Sequence, residues 1–195
     1  MGGVPVNIRI ATIEDSGAIR AVYAPYIDTP VTFETALPTI EEFEGRVAGI
    51  LPEYPYLVCE KDGRIIGYAY ACRHRERAAY RWNAELSVYL DGAFVAKGLG
   101  RRLYGALIDL LRLQGIRSVY ANVTLPNAPS ERLHLGMGFT RLGTYPQTGY
   151  KGGRWHDVAC FQKDILPHLP DPEPVTAFRQ IPRASAGAVL DRWQP

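Results

Sequence analysis

Between Asp91 and Leu107 the sequence reads DGAFVAKGLGRRLYGAL. Gly92, Gly98 and Gly100 precede a helix-like stretch, and Lys97, Arg101 and Arg102 crowd the same point. A loop that tightens into a helix N-terminus leaves backbone N–H groups with no acceptor inside the helix. Glycines let those groups turn inward and let a ligand come close. The resulting pocket suits anions, phosphates above all. Cations in a first helical turn face the positive end of the helix dipole, which disfavours them. A bound polyphosphate would compensate them; a surface loop with solvated cations is the alternative at this level. Two known phosphate loops fit poorly. Gly100 is followed by Arg-Arg, whereas a Walker A loop continues Lys-Ser/Thr. Leu103 stands where a dinucleotide fingerprint has its third glycine, and the loop comes after a hairpin instead of opening a parallel βαβ unit.

Other polar residues sit on regular elements. Glu85 opens ELSVYL, in which Leu86, Val88 and Leu90 share one face and Glu85, Ser87 and Tyr89 the other. Taken alone, a carboxylate at a strand start reads as an exposed charge. His134 falls in NAPSERLHLGMGF, one turn after Ser130 if a helix begins near Pro129. Taken alone, it reads as a structural or surface histidine. Asn127 has the chemistry of a helix N-cap.

The elements that must position these residues follow from periodicity. VNIRIAT alternates as a strand, and a helix follows with Thr12 and Asp15 spaced as a capping box. A second helix starts at Thr39, with Glu42 completing its box and Ile40, Phe43, Val47 and Ile50 as its apolar stripe. YLVCEKDGRIIGYAYACR is a hairpin turning at Asp62-Gly63. After ELSVYL and the glycine loop comes a helix from Leu99 to Gln114, with Leu103, Ala106, Leu107, Leu110 and Leu111 inward and Gly115 closing it. SVYANVTL is a strand, a short helix runs to Gly138, and two strands close the pattern around a Gly-rich turn. Residues 167–195 form a proline-rich tail read as extended, and residues 1–166 as one α+β domain with a mixed, mostly antiparallel sheet flanked by helices.

Bulk properties narrow the function. The 195 residues are 47% hydrophobic and carry a net charge of +2, which supplies a core but no basic footprint for nucleic acid. No apolar run approaches the roughly 20 residues of a membrane span. Cys59, Cys72 and Cys160 are odd in number and lack metal-ligand spacing, so no metal and a reduced, cytoplasmic setting are expected.

ELSVYLDGAFVAKGLGRRLYGALI resembles the acetyl-CoA-binding motif of the GNAT superfamily of N-acetyltransferases, Gln/Arg-x-x-Gly-x-Gly/Ala between a strand and a helix. Gly98 and Gly100 match; Val95 holds the first position. VTFET, RERAAYRWNAELSVYL, LPNAPSERLHLGMGF and GYKGGRWHDVACFQKDI are similar, in order over residues 7–166, to the phosphinothricin N-acetyltransferases and their relatives. The resemblance implies the GNAT (acyl-CoA N-acyltransferase) fold and acetyl transfer to the amine of a small anionic or glutamate-like amino acid, such as phosphinothricin, methionine sulfoximine or methionine sulfone. That reaction needs a neutral amine, hence a general base. The resemblance gives Glu85 as base and His134 as a second acid/base group. It gives Val88, Tyr89, Leu90, Val95, Ala96, Lys97, Gly98, Leu99, Gly100, Arg101, Arg102, Asn127 and Ser130 to acetyl-CoA, much of this through backbone groups. Phe33, Arg75, Arg77 and Tyr80 are expected to hold the acceptor, arginine suiting a carboxylate or phosphinate. Arg75 stands where the family often has Lys, with Glu76 between the arginines. His156 and Asp157 are strand neighbours pointing to opposite faces and are not expected to serve one site. The resemblance also implies a homodimer through the last strands. Two other readings stay open: a GNAT enzyme acting on a protein N-terminus or another amine, and a non-catalytic CoA-binding regulatory module.

Overall fold

A computed structural model describes residues 6–194. Seven strands form one sheet in the order β1-β2-β3-β4-β5-β7-β6. They are β1 (Asn7–Ile10), β2 (Tyr56–Lys61), β3 (Arg64–Arg73), β4 (Asn83–Leu90), β5 (Ser118–Thr124), β6 (Thr140–Lys151) and β7 (Arg154–Asp164). Neighbours run antiparallel except β4 and β5, which are parallel. Five helices flank the sheet: α1 (Ser16–Tyr23), α2 (Ile40–Ile50), α3 (Leu99–Gln114), α4 (Ala128–Gly136) and α5 (Arg183–Asp191).

Local chemistry sets the boundaries. The Thr39 hydroxyl accepts from the Glu42 N–H at 3.2 Å and the Glu42 carboxylate accepts from the Thr39 N–H at 2.7 Å, the reciprocal capping box. Asp62 and Gly63 both take positive φ, 50° and 75°, as a tight hairpin turn requires. Helix α3 spans Leu99–Gln114 as its periodicity predicts, and Leu103, Leu107, Leu110 and Leu111 are fully buried. Each such leucine contributes about 1.5–3 kcal/mol of transfer free energy. One core cluster joins α3 to the sheet; a second, around Tyr23, Phe43, Val47, Tyr56 and Tyr68, lies under α1 and α2.

Two expectations fail. Ile40 is not part of the inward stripe of α2 but exposed, because it is the first residue of the helix and lies beyond the sheet's cover. The tail is not simply extended. It is irregular through its prolines, but Pro182 opens α5, where Ala186, Val189, Leu190 and Trp193 recur at helical spacing and join the α3 core. The Trp193 ring lies over Gly105, where a Cβ would collide with it, and its Nε1–H donates to Asp109 at 2.9 Å. Gln194 then pairs with both the N–H (3.1 Å) and the C=O (2.8 Å) of Ile8, covering the outer edge of β1.

Candidate active site

The parallel β4–β5 ladder is short. It pairs Asn83 with Ser118, Ala84 with Val119 and Glu85 with Tyr120, then ends. Beyond Glu85 the strands part, β5 staying on β7. The Asp91 N–H donates to Ile66 O at 2.9 Å, so Asp91 is a hydrogen-bonded partner of β3. By antiparallel alternation, Tyr89 and Ser87 also face β3, and the backbone groups of Leu90, Val88 and Leu86 face the gap. The Leu86 carbonyl accepts from the Tyr104 hydroxyl at 3.3 Å. Both polar groups of Leu90 go to one hydroxyl: Tyr26 Oη donates to the carbonyl at 2.6 Å and accepts from the N–H at 3.2 Å. Val88 lies past the end of the ladder and has no β5 partner in register.

At the top of the gap, Asp91 accepts from the Ala93 N–H and caps a short turn into the glycine loop. Two loop residues are left-handed, Ala96 at φ 63° and Gly98 at φ 80°. Ala96 stores strain there, which clusters at ligand clamps, and glycine at 98 avoids it. The first helical bond of α3 is Arg102 N–H to Gly98 O at 3.2 Å, so the N–H groups of Leu99, Gly100 and Arg101 have no acceptor within the helix. Lys97 lies 4.9 Å above the Phe94 ring. The two arginines have protein partners. Arg102 donates twice to Trp193 O, at 3.1 and 2.7 Å, and Arg101 donates to Gly136 O at the end of α4. Gly136 ends α4, whose C-terminal carbonyls carry the negative end of its dipole, while Trp193 lies just past the C-cap of α5.

Helix α4 walls the gap. Asn127 caps it, its Oδ1 accepting from the Ser130 N–H at 3.2 Å. His134 is 2% exposed. Its Nδ1 lies 2.8 Å from Ser130 O, an acceptor only, so Nδ1 carries the hydrogen in the neutral ring. Its Nε2 is buried with no hydrogen-bond partner among the described residues. The ring stacks on Phe161 at 5.2 Å and meets Phe139 and Tyr104 edge-on. Burial lowers its pKa from the usual histidine value, partly opposed by the Ser130 bond. His134 also borders a narrow cleft that Ser87, Val88, Asn122 and Asn127 line.

Glu85 sits at the closed end of the gap, just below that cleft. Its Oε1 accepts from Asn122 Nδ2 at 3.1 Å, and Asn122 Oδ1 in turn accepts from the Cys160 thiol at 3.0 Å. His74 Nδ1 approaches its Oε2 at 3.7 Å while the imidazole stacks on Tyr120 at 4.1 Å. Burial lowers the His74 pKa, with Glu85 pulling the other way and Arg75 adding to the depression. Asn122 and His74, which both contact Glu85, are not among the residues that the sequence motifs single out. Asn122 was visible as a polar interruption of SVYANVTL, two residues after the position that pairs with Glu85; His74 was hidden among arginines.

The expected acceptor residues are dispersed in the single chain. Arg75 stacks on Tyr80 and lines, with Arg77, a separate cavity walled by Glu53, Pro174 and Gln180. Phe33 packs on Gly149 and approaches His156 at 6.2 Å between ring centres. His156 Nε2 contacts Lys151 O while Asp157 accepts from the Gln147 N–H, so the two serve different places. Among the described residues no group of three or more His, Cys, Asp or Glu is placed to hold a metal ion, and no helix is long and apolar enough to cross a membrane.

A sheet whose only parallel pair splays beside a glycine loop at a helix N-terminus defines an acyltransferase scaffold, and residues 8–160 match the family model of the acetyltransferase (GNAT) domain. The chain belongs to the GNAT family of acetyltransferases. It is 42% identical over 178 residues to a phosphinothricin N-acetyltransferase of Streptomyces viridochromogenes, covering 91% of this chain and 97% of that one. It is 35% identical to an L-methionine sulfoximine/L-methionine sulfone acetyltransferase of Salmonella typhimurium over 84% of this chain and 96% of the other. Among solved structures, a phosphinothricin acetyltransferase from Sinorhizobium meliloti in complex with acetyl-CoA superposes with a TM-score of 0.82 at 31% identity, covering 90% of this chain and 100% of that one.

Proposed function

We propose that the protein transfers acetyl from acetyl-CoA to the amino group of a small, glutamate-like amino acid. The observation that carries this reading is the end of the β4–β5 ladder at Glu85. Beyond it the Val88 backbone, without a β5 partner, borders a cleft that Ser87, Asn122, Asn127 and His134 also line. The residues present fit the cosubstrate. The loop from Val95 to Gly100, with Lys97 and the first N–H groups of α3, takes the diphosphate. Val88 pairs with the pantetheine amide; Leu90 joins only if the Tyr26 hydroxyl gives way. Tyr89, Asn127 and Ser130 line the arm. Arg101 and Arg102 fix the loop by tying it to α4 and to Trp193.

In this reading Glu85, oriented by Asn122, takes the proton that the amine must lose. The amine nitrogen then attacks the thioester carbonyl, a C–N bond forms, the nitrogen gives up its second proton, the C–S bond breaks, and the thiolate takes that proton. Neutral His134 is the second acid/base group: its Nε2 accepts the proton that the nitrogen sheds and passes it to the sulfur. For Arg75, Arg77 and Tyr80 to meet the acceptor's α-carboxylate, the loop that continues from His74 must swing from its cavity beside Glu53 toward Glu85, with Phe33 serving as a pocket wall. The likeness to the Streptomyces and Salmonella enzymes supports this acceptor class. Strand β6 is exposed along most of its length, with Leu142, Tyr145 and Tyr150 on it and Trp155 beside it, which supports a homodimer through this edge. Sedimentation tests the dimer. Incubation with acetyl-CoA and a panel of amino acids, read by thiol release and product mass, tests the reaction. Acetylation of protein N-termini alone would replace the acceptor assignment, and no thiol release with any amine would replace the enzyme with a binding module.

A further inference from the structure

A cavity of about 400 Å³ opens on the Glu85 face of the sheet. Cys72, which pairs with Glu85 in register, and Tyr70, which pairs with Ser87, both line it, and Tyr89 borders it and the cleft alike. Most of its wall is aromatic: the rings of Tyr56, Tyr68 and Tyr70 stack at 5.0 to 6.3 Å. Among its lining residues Glu34 and Arg46 carry charge, and they pair at 2.7 Å. The Arg46 guanidinium lies 5.4 Å above the Phe43 ring. Glu34 Oε2 is buried and has no hydrogen-bond partner among the described residues. A buried carboxylate oxygen without a donor is costly and calls for one.

Resting on the acceptor class proposed above, we infer that this cavity seats the acceptor's side chain and that Glu34, held by Arg46, selects an uncharged polar side chain over an anionic one. The pair is electrically balanced, so an incoming anion finds Arg46 already neutralised and Glu34 repelling it. A carboxylate only accepts hydrogen bonds, and the guanidinium only donates them. A sulfoximine offers an N–H to Glu34 and an oxygen to Arg46. A primary amide does the same. A phosphinate or carboxylate offers acceptors alone, and leaves Oε2 unsatisfied.

The test is kcat/KM by thiol release for methionine sulfoximine against phosphinothricin, and for glutamine against glutamate, which are nearly isosteric and differ in charge. The uncharged member of each pair is expected to lead by about tenfold or more. Glu34→Gln is expected to narrow both ratios by about tenfold, since it removes the repulsion and keeps the shape. The glutamine/glutamate ratio of the unmodified protein reads the selection even if that variant does not fold. Wild-type preference for the anionic member, or ratios unmoved by Glu34→Gln, overturns the inference. Failure to acetylate any amino acid would instead overturn the acceptor reading on which it rests.

Discussion

Asn122 Nδ2 donates to Glu85 Oε1 at 3.1 Å across the point where β4 and β5 part. The bond fixes one carboxylate oxygen and leaves the other toward His74. Asn122→Ala should therefore reduce kcat more than it raises KM, by about 10- to 100-fold, the worth of a hydrogen bond to a charged group. Asn122 is exposed, so the melting temperature should barely move. Steady-state kinetics beside a thermal melt check both halves; an unchanged kcat would remove Asn122 from the account.

Glu85→Gln keeps the shape and removes the base. Loss of a general base should cost about 10²- to 10⁴-fold in kcat. Acetyl-CoA affinity should be unchanged, because no cleft-lining backbone group is touched. Full activity in this variant at saturating substrates would assign the proton to another residue.

His134 is held neutral by burial, and its pKa lies below the unfolded histidine value. Below about pH 6.5 the unfolded chain binds a proton that the folded chain refuses, so stability falls as pH falls through that range and is complete above it. His134→Phe should flatten this acid limb. It should also lower kcat, because Nε2 is lost from the cleft. Urea midpoints from pH 5 to 8, wild type against variant, measure the first effect; a parallel pair of curves would contradict it.

Trp193 covers Gly105, and its carbonyl receives both bonds from Arg102. Trp193→Ala should destabilise the protein by about 3–5 kcal/mol. Gly105→Val should also destabilise it, by displacing the same ring, about 1–3 kcal/mol. Denaturant unfolding tests both. If either variant is as stable as wild type, α5 is not fastened as described.

These cases show what one sequence discloses. The fold was legible wherever chemistry is local: the Thr39–Glu42 box, the Asp62-Gly63 turn and the Leu99–Gln114 stripe each name their own geometry. The tail was not, because its prolines mask a four-residue apolar pattern that gains meaning only against Gly105 of α3. Of the site, the loop glycines and the face of Glu85 followed from conformation and alternation. The protein partners of Arg101 and Arg102, Gly136 O and Trp193 O, were not legible because they lie 35 and 91 residues away. Asn122 escaped for the same reason: only the parallel register brings it to Glu85.

The most direct test of the central claim is amide hydrogen exchange with and without coenzyme A. If the cosubstrate lies between the parted strands with its diphosphate at the helix start, Val88 and Leu99 through Arg101 should become strongly protected, while the β6–β7 hairpin tip stays as it was. Protection confined to other segments, with Val88 and the α3 N-terminus exchanging as in the free protein, would contradict it.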